Sequence, residues 1–193
     1  YIMKKLLLYI LLFTSFNLTA QNNYSMSFDG QDDYIQLGNA SFLPNSSFTI
    51  STWFNSLGVT SGTDDIFVSD VSWSTYTIRM GPQGNISFRI QPNAGSGGSV
   101  TTIETSGNGI NYSDGNWHHF TCTWDGNNMA VYINGILFSQ VSTSFNSVGF
   151  TNDNATIGSY PTTTQEFFNG KLDDFQIWDT ALTEQEIQDY MNC

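Results

Sequence analysis

Positive charge is scarce in this chain: 5 Lys and Arg stand against 17 Asp and Glu in 193 residues, a formal net charge of −12. Lys4 and Lys5 sit in a leader-like N-terminus, so the remainder holds only Arg79, Arg89 and Lys171. Such a surface repels phosphate backbones and anionic lipid, which excludes nucleic acid and charged membranes as partners. It suits calcium-rich extracellular media, neutral glycans or protein. Glutamate is also rare, with Glu104, Glu166, Glu184 and Glu186 the whole supply, while Asp outnumbers Glu 13 to 4. Asp, with abundant Asn and Gly, favours turns over helices. Past residue 20 no apolar run is long enough to span a bilayer, so membrane insertion is not expected.

The N-terminus differs from the rest. Met3-Lys4-Lys5 is a short basic start, Leu6 to Phe13 is apolar but for Tyr9, and Leu18-Thr19-Ala20 ends on a small residue. This reads as a secretory signal peptide over 1–20, because its apolar core is too short for a membrane span. Residues 21–193 then form one domain, secreted or at the cell surface, with ample length for a core. Only two cysteines exist. Cys122 shares strand parity with Phe120 and Trp124, which marks a small buried hydrophobe. Cys193 is the last residue, and its pairing, downstream or to Cys122, stays open. The chain is read as part of a longer polypeptide with further modules.

Apolar residues recur with period two in short runs closed by Gly, Asn, Asp or Pro, the pattern of many antiparallel strands. Strands are predicted over 24–28, 34–36, 48–54, 65–69, 76–80, 86–90, 99–104, 117–124, 128–133, 136–141, 155–157 and 171–178. Strands at this spacing imply an all-β, two-sheet antiparallel sandwich. Asp125-Gly126-Asn127 and Asn134-Gly135 are turn signals, the second because both residues tolerate positive φ, so 117–141 is a three-strand meander. A single short helix is predicted to run to Met191. Leu182, Thr183, Glu186 and Ile187 occupy N′, N-cap, N3 and N4, a capping box with a hydrophobic staple. So short a helix must dock through Ile187 and Tyr190.

Ser27-Phe28-Asp29-Gly30, Asp33-Tyr34-Ile35, Phe48 to Phe54, Trp117-His118-His119-Phe120, Trp124-Asp125-Gly126, Val131 to Gly135 and Gly170 to Trp178 occur in an ordered combination. Together they closely resemble the laminin-G-like, concanavalin-A-like jelly-roll domains, in the form found in secreted multidomain proteins of Bacteroidetes. The resemblance implies a jelly-roll sandwich, a structural calcium, and carbohydrate or protein attachment without catalysis. It also implies an ion where the first strand meets the last, held by Asp29 or the Gly30 carbonyl and by Asp173 or Asp174. Strict alternation would turn Asp173 and Asp174 to opposite faces, so one needs an internal partner: a cation or plain turn hydrogen bonds. Relatives of this sandwich that cleave glucans show a Glu-x-Asp-x-x-Glu strand, which this chain lacks, so no enzymatic activity is expected.

For a polysaccharide or glycoprotein ligand, the aromatics beside polar loops are the candidates: Trp73, Tyr76, Tyr112 and Tyr160. Trp53, Trp117, Trp124 and Trp178 are expected in the core. His118 and His119, adjacent on a strand, point to opposite faces and cannot chelate one ion side by side. A structural spacer or adhesion module with no small ligand is the competing reading.

Overall fold

The computed structural model describes residues 24–59, 62–69, 75–92, 100–107, 109–150, 154–160 and 166–191. The signal-peptide segment, Trp73 and Cys193 lie outside them. The strands are β1 (Met26–Asp29), β2 (Ile35–Asn39), β3 (Phe48–Ser56), β4 (Asp64–Val68), β5 (Tyr76–Met80) and β6 (Ile86–Ile90). They continue as β7 (Thr101–Glu104), β8 (His118–Trp124), β9 (Asn128–Ile133), β10 (Ile136–Ser142), β11 (Asn154–Ile157) and β12 (Asn169–Trp178), followed by the helix α1 (Glu184–Met191). Two six-stranded sheets stack, the first in the order β1-β12-β3-β8-β9-β10 and the second β2-β11-β4-β5-β6-β7. The named strands pair antiparallel, as the period-two patterning requires.

The core lies between the sheets because alternate residues of each strand point inward. Phe48, Ile50, Phe54, Phe120, Cys122 and Trp124 from the first sheet face Tyr76, Ile78, Met80, Ile86, Phe88 and Ile90 from the second, all without exposure. Each large apolar side chain so buried contributes about 1.5–3 kcal/mol before the entropy of ordering it. Cys122 is a buried free thiol, as its parity predicted. At the hairpin between β9 and β10, Asn134 and Gly135 have φ of 51° and 76°, the twin positive values a tight turn needs. Asp125 closes the preceding turn by accepting from the amides of Asn127 and Asn128.

Helix α1 begins with the predicted capping box. The Glu186 carboxylate accepts from the backbone N–H and the hydroxyl of Thr183, both at 2.8 Å. Leu182 and Ile187 then bury themselves against Ala130 and Tyr132, with Trp178 alongside. Ala130 and Tyr132 are outward residues of β9, so α1 covers part of the first sheet's outer face. Tyr190 is 52% exposed yet rests its ring 5.4 Å from that of Trp178. The entry to the helix is tied down by Thr49, whose hydroxyl donates to the Thr180 carbonyl and accepts from the Leu182 amide. Among the described residues no helix is long and apolar enough to cross a membrane.

The first and last strands are neighbours. β1 pairs with β12, placing Met26 opposite Leu172 and Asp29 opposite Asn169. Gly170, with φ of 154°, is required where β12 enters, since a Cβ there would run into the Asn55 carbonyl.

Candidate functional site

Strict alternation along β12 fails at one place, and that failure makes a groove. Asp173 pairs with Trp53 of β3, but the next pair is Gln176 with Ser51, so two residues of β12 oppose the single residue Thr52. This is a β-bulge, with Asp174 held at a φ of +46°. The Thr52 hydroxyl donates to the Asp173 carbonyl at 3.0 Å, and Asp173 Oδ1 accepts the Asp174 N–H at 2.9 Å. The extra residue resets the parity. Leu172, Phe175 and Ile177 all pack on the core, while Asp173 and Asp174 both open outward. The expectation that the two aspartates turn to opposite faces is therefore corrected, and of the two partners considered Asp173 takes a plain turn hydrogen bond.

Both aspartates line an open groove of about 510 Å³, together with Ser25, Trp53, Trp117, Lys171 and Met191 at the end of α1. Trp53 shares parity with Ser51 and Asn55, so it points outward, its ring edge-on to His119 at 5.1 Å. Trp117 precedes β8 and is 41% exposed. Two of the four tryptophans assigned to the core thus wall a surface groove; Trp124 is in the core, and Trp178 lies half-buried beneath α1. Residue type misled here, whereas the parity of Trp53 with Ser51 and Asn55 was the signal to follow. No ion pair joins Lys171 to Asp173 or Asp174, although they share the groove.

The acidic turn after β1 is a second feature. Carboxylate oxygens of Asp29, Asp32 and Asp33 lie within 4.8 Å of one another, all exposed. Two oxygens each about 2.4 Å from one calcium lie at most about 4.8 Å apart, so the spacing fits a hard cation. The turn is already shaped by its own bonds: Asp29 Oδ1 accepts from the Gln31 amide at 2.9 Å, and Asp33 Oδ2 from the Asp29 amide at 3.1 Å. Gly30, at φ 74°, makes the bend. Register separates this turn from the bulge. Asp29 lies opposite Asn169, so Asp173 is four residues along, about 13 Å away at strand spacing. One ion cannot bridge Asp29 to Asp173 or Asp174, which corrects the shared-ion placement.

The other sequence candidates scatter. Tyr76 has no exposure; its ring packs 4.4 Å from Phe48. Tyr112 is 3% exposed, edge-on to His118. Neither ring offers a face to a ligand. Tyr160 is half-buried on the second sheet's outer side, 5.9 Å from the Arg79 guanidinium. His118 turns inward to Phe54 and Tyr112, with Nε2 3.0 Å from Asp114, whereas His119 turns outward and is buried beside Trp53. Burial pushes the His119 imidazole down to about 4.

An ionic cluster around the buried Asp65 had no sequence signal. Arg79 Nε lies 2.7 Å from Asp65 Oδ1, off the N–H direction, while Arg79 Nη2 donates a long hydrogen bond of 3.5 Å to Asp65 Oδ2. Glu166 stands 3.9 Å from the same guanidinium. Burial lifts the Asp65 carboxyl to about 7 against the pull of Arg79. That is the range of an acid catalyst, yet the side chain has no exposure and no substrate can reach it.

The fold and the ordered residues agree with comparisons to known proteins. The family model described as the concanavalin A-like lectin/glucanases superfamily matches residues 29–188. Mouse pappalysin-1 is similar at 27% identity over 84% of this chain, which spans 11% of that relative's length. A SAP-like pentraxin from Limulus polyphemus superposes with a TM-score of 0.62 at 23% identity, covering 86% of this chain and 80% of the pentraxin. Domain 4 of an extracellular arabinanase from Geobacillus stearothermophilus, solved with arabinotriose, gives 0.62 at 21% identity, with 86% and 75% covered. The chain belongs to the concanavalin A-like lectin/glucanases superfamily.

Proposed function

We propose that this domain is a non-catalytic extracellular recognition module that holds a carbohydrate or a surface glycoprotein, carried with other modules in a secreted or cell-surface polypeptide. The observation that carries the reading is the groove at the bulge, where the exposed indole of Trp117, just ahead of β8, stands beside the outward aspartates of β12. Ligand sites combine aromatic walls with a few placed polar groups, and sheet-borne sites hold them more firmly than loops. The arabinanase domain solved with arabinotriose supports a saccharide reading on this fold. Calcium belongs in the same proposal, at the acidic turn, with Asp29, Asp32 and Asp33 supplying carboxylate oxygens. There it would staple the turn between β1 and β2, a structural role.

A glycan array probed with the full chain tests the first part: retention of the wild type on saccharides is expected, and failure on every glycan and glycoprotein leaves the spacer-module reading. For the ion, the melting temperature should rise in millimolar calcium after chelation, and the rise should vanish in Asp32→Asn. An unchanged melting curve would retire the calcium.

A further inference from the structure

We infer that the groove over the β12 bulge takes a neutral saccharide, and takes it without calcium. The inference rests on the recognition reading and names its ligand class and its metal independence.

The groove's charge makes the choice. Lys171 stands on the same outer face as Asp173, two residues away, and Asp174 follows at the bulge. An anionic saccharide would meet two carboxylates on a chain whose formal charge is −12. A cationic amine would be drawn by the two carboxylates but would leave the Lys171 ammonium unanswered. A neutral sugar answers both, because its hydroxyls donate to the carboxylates and accept from the ammonium. Asp173 Oδ1 is engaged by the Asp174 amide, which leaves Oδ2 to accept, and the Asp174 carboxylate has no partner among the described residues. Lys171 Nζ and the Ser25 hydroxyl supply donors. Hydrogen bonds to ionised groups are the stronger kind, so a few suffice to orient a hydroxylated ring.

Trp117 supplies the apolar surface. At 41% exposure its ring has no aromatic or hydrogen-bond partner among the described residues, while an indole serving the fold would be packed. The C–H face of a sugar ring fits such a platform, and the polar edge of the same ring fits Asp173 and Asp174. About 510 Å³ lies within the usual range for ligand clefts and accommodates a short saccharide.

Metal independence follows from register. The acidic turn lies at the far end of the β1–β12 pair, about 13 Å from Asp173, so a cation there cannot touch a sugar hydroxyl held by the groove. The ion would stiffen the domain; the groove would bind with its own side chains.

The test is titration calorimetry of the full chain with neutral oligosaccharides (gluco-, manno-, xylo- and arabino-), with sulfated and uronate oligosaccharides, and with an amine-bearing sugar, each in calcium and in EDTA. Neutral sugars should bind equally in both buffers. Trp117→Ala and Asp174→Asn should each weaken binding roughly tenfold. Trp117→Phe should recover part of the loss. Asn tolerates the positive φ at position 174, so Asp174→Asn keeps the bulge, and unchanged melting temperatures would confirm that both variants fold. Preference for sulfated, uronate or amine-bearing sugars overturns the neutral assignment, and loss of binding in EDTA overturns the metal independence. Wild-type affinity in both variants overturns the groove while the recognition reading stands. No binding of any glycan sinks the recognition reading itself.

Discussion

The outer face of the first sheet is divided. At one end, outward Ala130, Tyr132 and Trp178 lie under α1; at the other, outward Trp53, Lys171 and Asp173 have no cover. The bulge in β12 marks the open end in the backbone, where Asp173 and Asp174 both turn outward. Side-chain chemistry completes the difference. Apolar outward residues attract a helix that brings Leu182 and Ile187 to seal them, whereas a tryptophan next to aspartates and a lysine is left facing solvent. A protein that needed only to close its sheet would extend the apolar patch, so the open end reads as retained for a partner.

Three substitutions probe that division. The largest effect is expected from Ile187→Ala, which removes the residue that roots α1, 2% exposed. Urea unfolding should show a loss of about 3 kcal/mol, since the cavity adds to the lost transfer energy. A loss below about 1 kcal/mol would mean that the helix contributes little to the covered end.

Acid should weaken the covered end next. His119 packs there with Ser51, Thr121 and the residues of α1, and its folded-state pKa of about 4 lies below the ordinary 6.5. The neutral ring is the stable form in the fold. Its contribution is complete above pH 6.5 and declines as pH falls towards 4, by up to about 3 kcal/mol at about 1.4 kcal/mol per pKa unit. Asp65 works the other way: protonated in the fold below about 7, it adds stability as pH falls from 7 towards 4. Wild type and His119→Gln should therefore diverge, with the wild type losing more stability between pH 7 and 4.5. Parallel stability curves for the two proteins across that interval would remove His119 as the cause.

The smallest stability effect belongs to the open end. Asp174→Gly relieves a Cβ at φ +46° and should raise stability by up to about 1 kcal/mol, while weakening saccharide binding. Gain of stability with loss of ligand is the signature of a strained residue kept for function. A variant both less stable and equally competent to bind would point to a purely architectural bulge.

Local signals made most of the fold legible. The Asn134-Gly135 turn fixes its hairpin, Thr183 and Glu186 fix the helix start, and alternation from Phe48 to Phe54 places the core. The candidate site was less legible, because a bulge depends on one residue adopting positive φ and on Thr52 across the ladder bonding to its neighbour. Asp173-Asp174 carries no mark of that. The separation of Asp29 from Asp173 depends on a register set by distant packing, and the Asp65–Arg79–Glu166 cluster joins residues far apart in sequence.

That cluster also bears on behaviour in brine. Burial of Asp65 outweighs the pull of Arg79, so the contact supplies little net attraction for dissolved ions to weaken, whereas the mutual repulsion of the acidic exterior is muted within a Debye length of about 8 Å at physiological ionic strength. Added electrolyte therefore acts mainly on the unfavourable part of the electrostatics. The fold should grow firmer in brine, where a domain held together by surface ion pairs would loosen.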